Sequence, residues 1–170
     1  MDVSVTKDNV EEFLRAIKTL TQDRVLVGIP AEKAFREPTE DDPHPHINNA
    51  EIGYLNEFGD PETNLPARPH LIPGVAKAMD EITGAYKKAA QMVLDGKFDK
   101  AKDAHIVVGI KSTSSVKNTI TQVIPPPLSR RTLAERRARG REGTTPLIDT
   151  GQYRNNITYA VKPASEVTND

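Results

Sequence analysis

The chain contains no cysteine and no tryptophan, and aromatic residues make up only 5% of it. Without cysteine there can be no disulfide framework and no thiolate metal centre, and the redox compartment is left open. Charge is scarce in one sense only. Charged residues are 28% of the chain but cancel to a net −1, so overall charge selects no partner. No apolar run approaches the ~20 residues that a membrane span needs. The opening MDVSVTKDNVEEF is too acidic and polar for a signal peptide. These absences lead us to expect a soluble protein with no membrane partner, used inside a cell or in a particle assembled there.

What is present is a chain of 170 residues with 36% hydrophobic content. That length favours one domain, with roughly 70% of the unfolded surface buried. We expect a single structural domain over residues 1–163 and a flexible C-terminal tail over 164–170. Val10, Phe13, Leu14, Ile17 and Leu20 lie on one face of a helix over residues 8–21. Asp8 and Glu11 are placed to form its capping box. RVLVGIP at 24–30 reads as a buried strand ended by proline. Residues 31–46 hold three prolines and five acids with little periodicity, and read as an exposed loop.

Residues 48–58 predict a short helix with Gly59 as a left-handed cap. Pro73 suits the first turn of the next helix. Val75, Met79, Ile82, Tyr86, Ala89 and Val93 then mark one long apolar stripe, broken by Asp95-Gly96. A second helix is expected over about 98–121, although AHIVVGI at 104–110 would also pass for a strand and Gly109 costs about 1 kcal/mol in a helix. IPPPL at 124–128 ends it. SRRTLAERRARGRE at 129–142 forms a short helix capped by Ser129. Ile157, Tyr159 and Val161 alternate as a half-buried strand. The expected class is α+β: a helical hairpin packed with a small mixed or antiparallel sheet of non-adjacent strands, with long irregular loops.

Chemical motifs are few. LIDTG at 147–151 carries the hydrophobic-Asp-Thr-Gly of retroviral-type aspartic peptidases, in which paired aspartates share a proton and activate water. Gln152 follows it where that family has Ala or Ser, and those enzymes are almost all β. The simpler reading is a polar turn, with Asp149 bonding the backbone ahead and Gly151 at positive φ. His44-Pro45-His46 offers two imidazoles, but a metal site needs three or four ligands. There is no phosphate loop, HExxH or nucleophile elbow. We therefore expect no catalytic, cofactor or metal residue.

Residues 130–141 hold six arginines and one glutamate, a local +5 in a chain that is otherwise −6. Arg130, Arg131, Arg136, Arg137, Arg139 and Arg141 could meet nucleic acid or an acidic protein surface, or pair within their own oligomer. No aromatics interleave to stack single-stranded bases.

Four segments, in order, carry a resemblance: YLNEFG, PARPHLIP, PPLSRRTLAERRARG and PLIDTGQYRNNITY. Together with VGIP at 27–30 they resemble the neck and tail-completion proteins of tailed phages, also described as minor tail components or virion morphogenesis proteins. The likeness spans about residues 24–163. Glu57, Phe58, Gly59, Pro66, Ala67, Arg68 and Pro69 fall on the family's first motif. Leu128, Ser129 and Thr132 fall on the second, and Pro146, Leu147, Asp149, Thr150 and Gly151 on the third. His70 stands where Phe is usual, Ile72 where Arg is usual, and Asn155-Asn156 replaces an Asn-Ser or Arg-Ser pair.

The resemblance implies a structural protein of the virion, assembled in the host cytoplasm, at the head–tail junction and without enzyme activity. It implies a homo-oligomeric ring, with a hexamer first and a trimer or dodecamer as alternatives. The implied neighbours are the connector, the tail terminator, the tail tube or the tape-measure protein, and possible DNA in the channel. The other reading is a nucleic-acid-binding module built on Arg130–Arg141. The proline-framed Arg68 is expected to grip a carboxylate, with Glu57 or Asp60 at hand. Arg68, Glu57, Phe58 and the six arginines are the interface candidates.

Overall fold

The computed structural model describes residues 9–38, 40, 46–122 and 124–167. Helix α1 spans Val10–Gln22. Its expected cap at Asp8 lies outside the described residues; Asn9 holds the N-cap position with no side-chain bond. Phe13, Ala16, Ile17 and Leu20 pack on Val93, Phe98 and Ala101. Val10 and Leu14 belong to the same apolar pattern but lie exposed.

Strand β1 (Asp23–Gly28) pairs antiparallel with β2 (Thr158–Pro163), with Val25 opposite Val161 and Val27 opposite Tyr159. The two strands are distant in sequence, as expected. β1 was expected to be buried and is half-buried instead: Arg24 and Leu26 face outward, since a two-stranded sheet covered on one side leaves its other face open. The segment after it is not all loop, for a short helix α2 forms at Ala31–Ala34.

Helix α3 (Asn49–Phe58) begins with a complete capping box, Asn48 with Glu51. Gly59 ends it at φ 78°, ψ 174°. The positive φ is as expected, but the backbone leaves extended rather than in a left-handed turn. A Cβ there would lie 2.8 Å from the Ala67 nitrogen. Glycine thus allows the loop 60–67 to close against the helix end.

The long apolar stripe is two helices, α4 (Leu71–Lys77) and α5 (Met79–Leu94). Pro73 lies in the first turn of α4, as expected. At Ala78 ψ is 0° and the amide bonds back to Val75 O, so the turn tightens and the axis breaks. Helix α6 (Lys100–Thr121) completes the hairpin and is helical throughout 104–110. Its Gly109 has a packing reason: an added Cβ would stand 2.2 Å from the ring of Tyr159. The glycine lets β2 seat its tyrosine on the helix.

Helix α7 (Arg130–Ala138) starts at Ser129, whose Oγ accepts from the Thr132 amide at 3.0 Å, as expected. Helix α8 (Gln152–Asn156) was not expected. It follows Gly151, at φ 84° as anticipated. Ala164–Glu166, placed in a flexible tail by sequence, form a 3-10 turn; 168–170 lie outside the described residues. The main core joins Val116, Ile120 and Ile124 to Leu147, Tyr153 and Ile157. Eight helices and one small antiparallel sheet among the described residues make the class α+β.

Candidate functional site

The motif segments meet in a polar junction between α3, the start of α4, the proline run after α6, and the 143–153 loop; Glu57, Arg68 and His70 are buried in it, while residues 125–127 are exposed. Prolines lack the N–H that would let a segment pair with itself, yet their carbonyls still need donors. Arg68 supplies them. Its side chain reaches the 124–128 segment, Nε donating to Pro126 O at 2.9 Å and Nη2 to Pro127 O at 3.3 Å. The residue is 6% exposed, and burial draws its pKa below the usual arginine value. The expected carboxylate grip is therefore corrected. Neither Glu57 nor Asp60 holds Arg68; carbonyls do, and a guanidinium with five donors suits a site that offers only acceptors.

Glu57 has a different task. It is buried at the end of α3 and caps α4 from outside that helix. Its Oε2 accepts from the His70 and Leu71 amides at 2.7 and 2.8 Å, and its Oε1 from Ile72 at 3.0 Å. These are the amides that a helix start leaves without intrahelical partners. Asp60 closes its own turn, accepting from the Glu62 amide and the Thr63 hydroxyl.

His70 is fully buried beside them. Its Nδ1 lies 2.8 Å from Arg68 O, which can only accept, so the proton sits on Nδ1. Nε2 then accepts from the Tyr153 hydroxyl. Desolvation lowers the His70 pKa, opposed by the Arg68 carbonyl and by Glu57, whose Oε2 is 3.3 Å from Nδ1. Burial, with Glu57 adding to it, raises that of Tyr153. A glutamate, a histidine and a tyrosine in contact could serve acid–base chemistry. Here each group is largely buried and bonded inward, Glu57 to the α4 amides, His70 to Arg68 O and Tyr153 to His70, while Tyr153 also lines a surface pocket beside Asp149 and Gln152.

Arg136 repeats the Arg68 solution at the far side. Its Nη1 is shared among the carbonyls of Gly143, Thr145 and Ile148 at 3.1, 3.0 and 2.9 Å, and Nη2 donates to Pro146 O at 3.0 Å. Nε faces Asp149 at 3.4 Å, and Arg141 binds the other oxygen of that carboxylate at 2.7 Å. Asp149 was expected to bond the backbone ahead. Thr150 does so instead, its Oγ1 accepting from the Gln152 amide at 3.3 Å.

Of the interface candidates, Glu57, Arg68 and Arg136 are buried and turned inward, so they offer no surface to a partner. Arg131 pairs with Glu135 at 2.9 Å on the same helix. Arg130, Arg137 and Arg139 are exposed. Phe58 is exposed and lies against Tyr54, ring centroids 5.0 Å apart. Sequence reasoning left His70 as a surface or packed histidine, of which the structure shows the packed one, and missed Tyr153. The signal available for His70 was its place where a phenylalanine is usual in the resembling family.

His44 of the histidine pair lies outside the described residues. Among those described, no group of three or more His, Asp or Glu could hold a metal, and no helix is long and apolar enough to cross a membrane. The chain was compared with protein-family models, curated proteins and solved structures, and none matched.

Proposed function

We propose that this chain is a structural virion protein of a tailed phage, standing at the head–tail junction and forming or joining a ring between connector and tail. The observation that carries the reading is the convergence of the resembling segments. Glu57, Arg68, the Pro126 and Pro127 carbonyls, Ser129, Arg136 and Asp149 come from segments up to 92 residues apart, and each one fixes a loop or a helix start. The motifs thus specify one shape rather than a reaction, as a ring subunit requires. Large apolar side chains left exposed on separate faces, among them Phe58, Ile72 and Ile110, give that shape somewhere to pack.

No enzyme activity belongs to this reading. Asp149 lies between two guanidinium groups, and the described strands number two, not the β framework of an aspartic peptidase. The nucleic-acid reading loses ground because Arg131, Arg136 and Arg141 are engaged within the chain.

The test is the composition of purified phage particles that encode the chain. The reading expects the protein in the particle at a fixed copy number, with density at the neck by electron microscopy. A chain absent from finished particles would contradict it.

A further inference from the structure

Two surfaces remain that the junction does not use, and they complement each other. The first is the outer face of α3 around Tyr54 and Phe58, which are 65% and 59% exposed. The surrounding sequence, residues 47–67, contains four acids and no lysine or arginine. Of those acids only Glu57 is buried, leaving Glu51, Asp60 and Glu62 at least partly exposed in the same segment.

The second is a groove of about 450 Å³ between α5 and α6. Its apolar lining is mostly small, Gly84, Ala85, Ala89 and Ala104, with Met92 and Val107 as the larger members. Lys88, Lys100 and Lys111 stand along it. Lys100 and Lys111 are paired to Asp103 and Glu81, whereas Lys88 makes no ion pair among the described residues. Residues 81–111 carry six lysines against four acids.

The geometry points to a head-to-tail contact between copies of this chain, in which Tyr54 and Phe58 of one copy seat in the α5–α6 groove of the next. This rests on the ring assembly proposed above and names the surfaces that would build it. Small lining residues leave room for rings, and two aromatics bring roughly 150–250 Å² of buried area each. The acidic segment that carries them meets a groove lined by three lysines against Glu81 and Asp103, with Lys88 as the lysine that has no ion pair to give up, and this opposite charge sets orientation and disfavours aromatic-to-aromatic pairing. Because the two surfaces differ, the contact is heterologous and repeats around an axis until it closes.

The test uses two variants of the full chain. Tyr54→Ser/Phe58→Ser removes the knob and leaves the groove. Gly84→Gln fills the groove; a Cβ at Gly84 meets nothing within 4 Å, so the helix itself is undisturbed. Circular dichroism confirms that both variants fold. Sedimentation velocity should show a closed oligomer for the natural chain and self-association at least about 30-fold weaker for either variant alone. An equimolar mixture should stop at a dimer, since only one intact knob and one intact groove are present. A natural chain that stays monomeric overturns the inference, as does normal self-assembly of either variant. If the variants assemble while the protein is found in particles, this contact fails and the neck reading stands.

Discussion

The junction and the hairpin solve the packing problem in opposite ways. In the junction, two buried arginines and a buried glutamate satisfy backbone carbonyls and amides of segments with little regular structure. In the α5–α6 hairpin, regular helices satisfy their own backbones, small side chains make the contact, and apolar groups such as Ile106, Val107 and Ile110 are left outside. A buried guanidinium that solvates several carbonyls has no ready substitute, because deleting it removes a donor from all of them at once. An exposed isoleucine can change at little cost to the fold. The distinctive residues of this chain therefore hold its shape, and its exposed apolar surfaces are not needed for it.

The sharpest way to break that contrast is Arg136→Ala. It removes the guanidinium shared by four carbonyls of the 143–149 loop, of which only Thr145 O keeps a backbone donor among the described residues, and one of the two guanidinium groups at Asp149. A loss of about 3–5 kcal/mol is expected, against within ~0.5 kcal/mol for exposed Arg130→Ala. Urea unfolding of the two variants checks it. Arg68→Ala should follow at about 2–3 kcal/mol, since it removes a donor from two carbonyls rather than four.

On the hairpin side, Gly109→Ala should cost about 1–3 kcal/mol by crowding Tyr159, although alanine is the better helix former. Tyr159→Leu in the same chain should recover part of the loss, which a double-mutant cycle would measure.

The smallest expected effect is a pH dependence. His70 is held below its ordinary pKa by burial, so below about pH 6.5 the unfolded chain binds a proton that the folded chain refuses. Stability should be full above that pH and decline as pH falls through it toward the folded value. His70→Phe should flatten this part of the profile between pH 7 and 5, at some cost from the unpartnered Tyr153 hydroxyl. A profile unchanged by that substitution would remove His70 from the account.

Local chemistry was the legible part of the sequence. The apolar periodicity of α1 and α6, the Ser129 cap, and the strand signals of β1 and β2 all act within a few residues. The break at Ala78 was hidden because both sides share one apolar stripe. Helix α8 was hidden because five residues carry too little periodicity to read. At the site, the need to hold Arg68 in place was legible from its flanking prolines. Its partners were not, because carbonyls 58 and 59 residues away leave no mark on local sequence. The division of the arginine cluster into inward and outward members was equally invisible, since it depends on where the 143–149 loop runs.

The central claim is that one set of residues holds the fold and another set makes the assembly. It is tested most directly by measuring melting temperature and assembled mass on the same samples of Arg68→Ala and Tyr54→Ser/Phe58→Ser. Melting is followed at a dilution where the natural chain is unassembled, and mass by light scattering at a concentration where it assembles. The account predicts a crossed result. Arg68→Ala should melt about 4–12 °C lower yet reach the natural mass while folded, and the aromatic variant should melt within about 2 °C of the natural chain yet fail to assemble. An Arg68→Ala that melts normally but cannot assemble, or an aromatic variant that assembles fully, would contradict it.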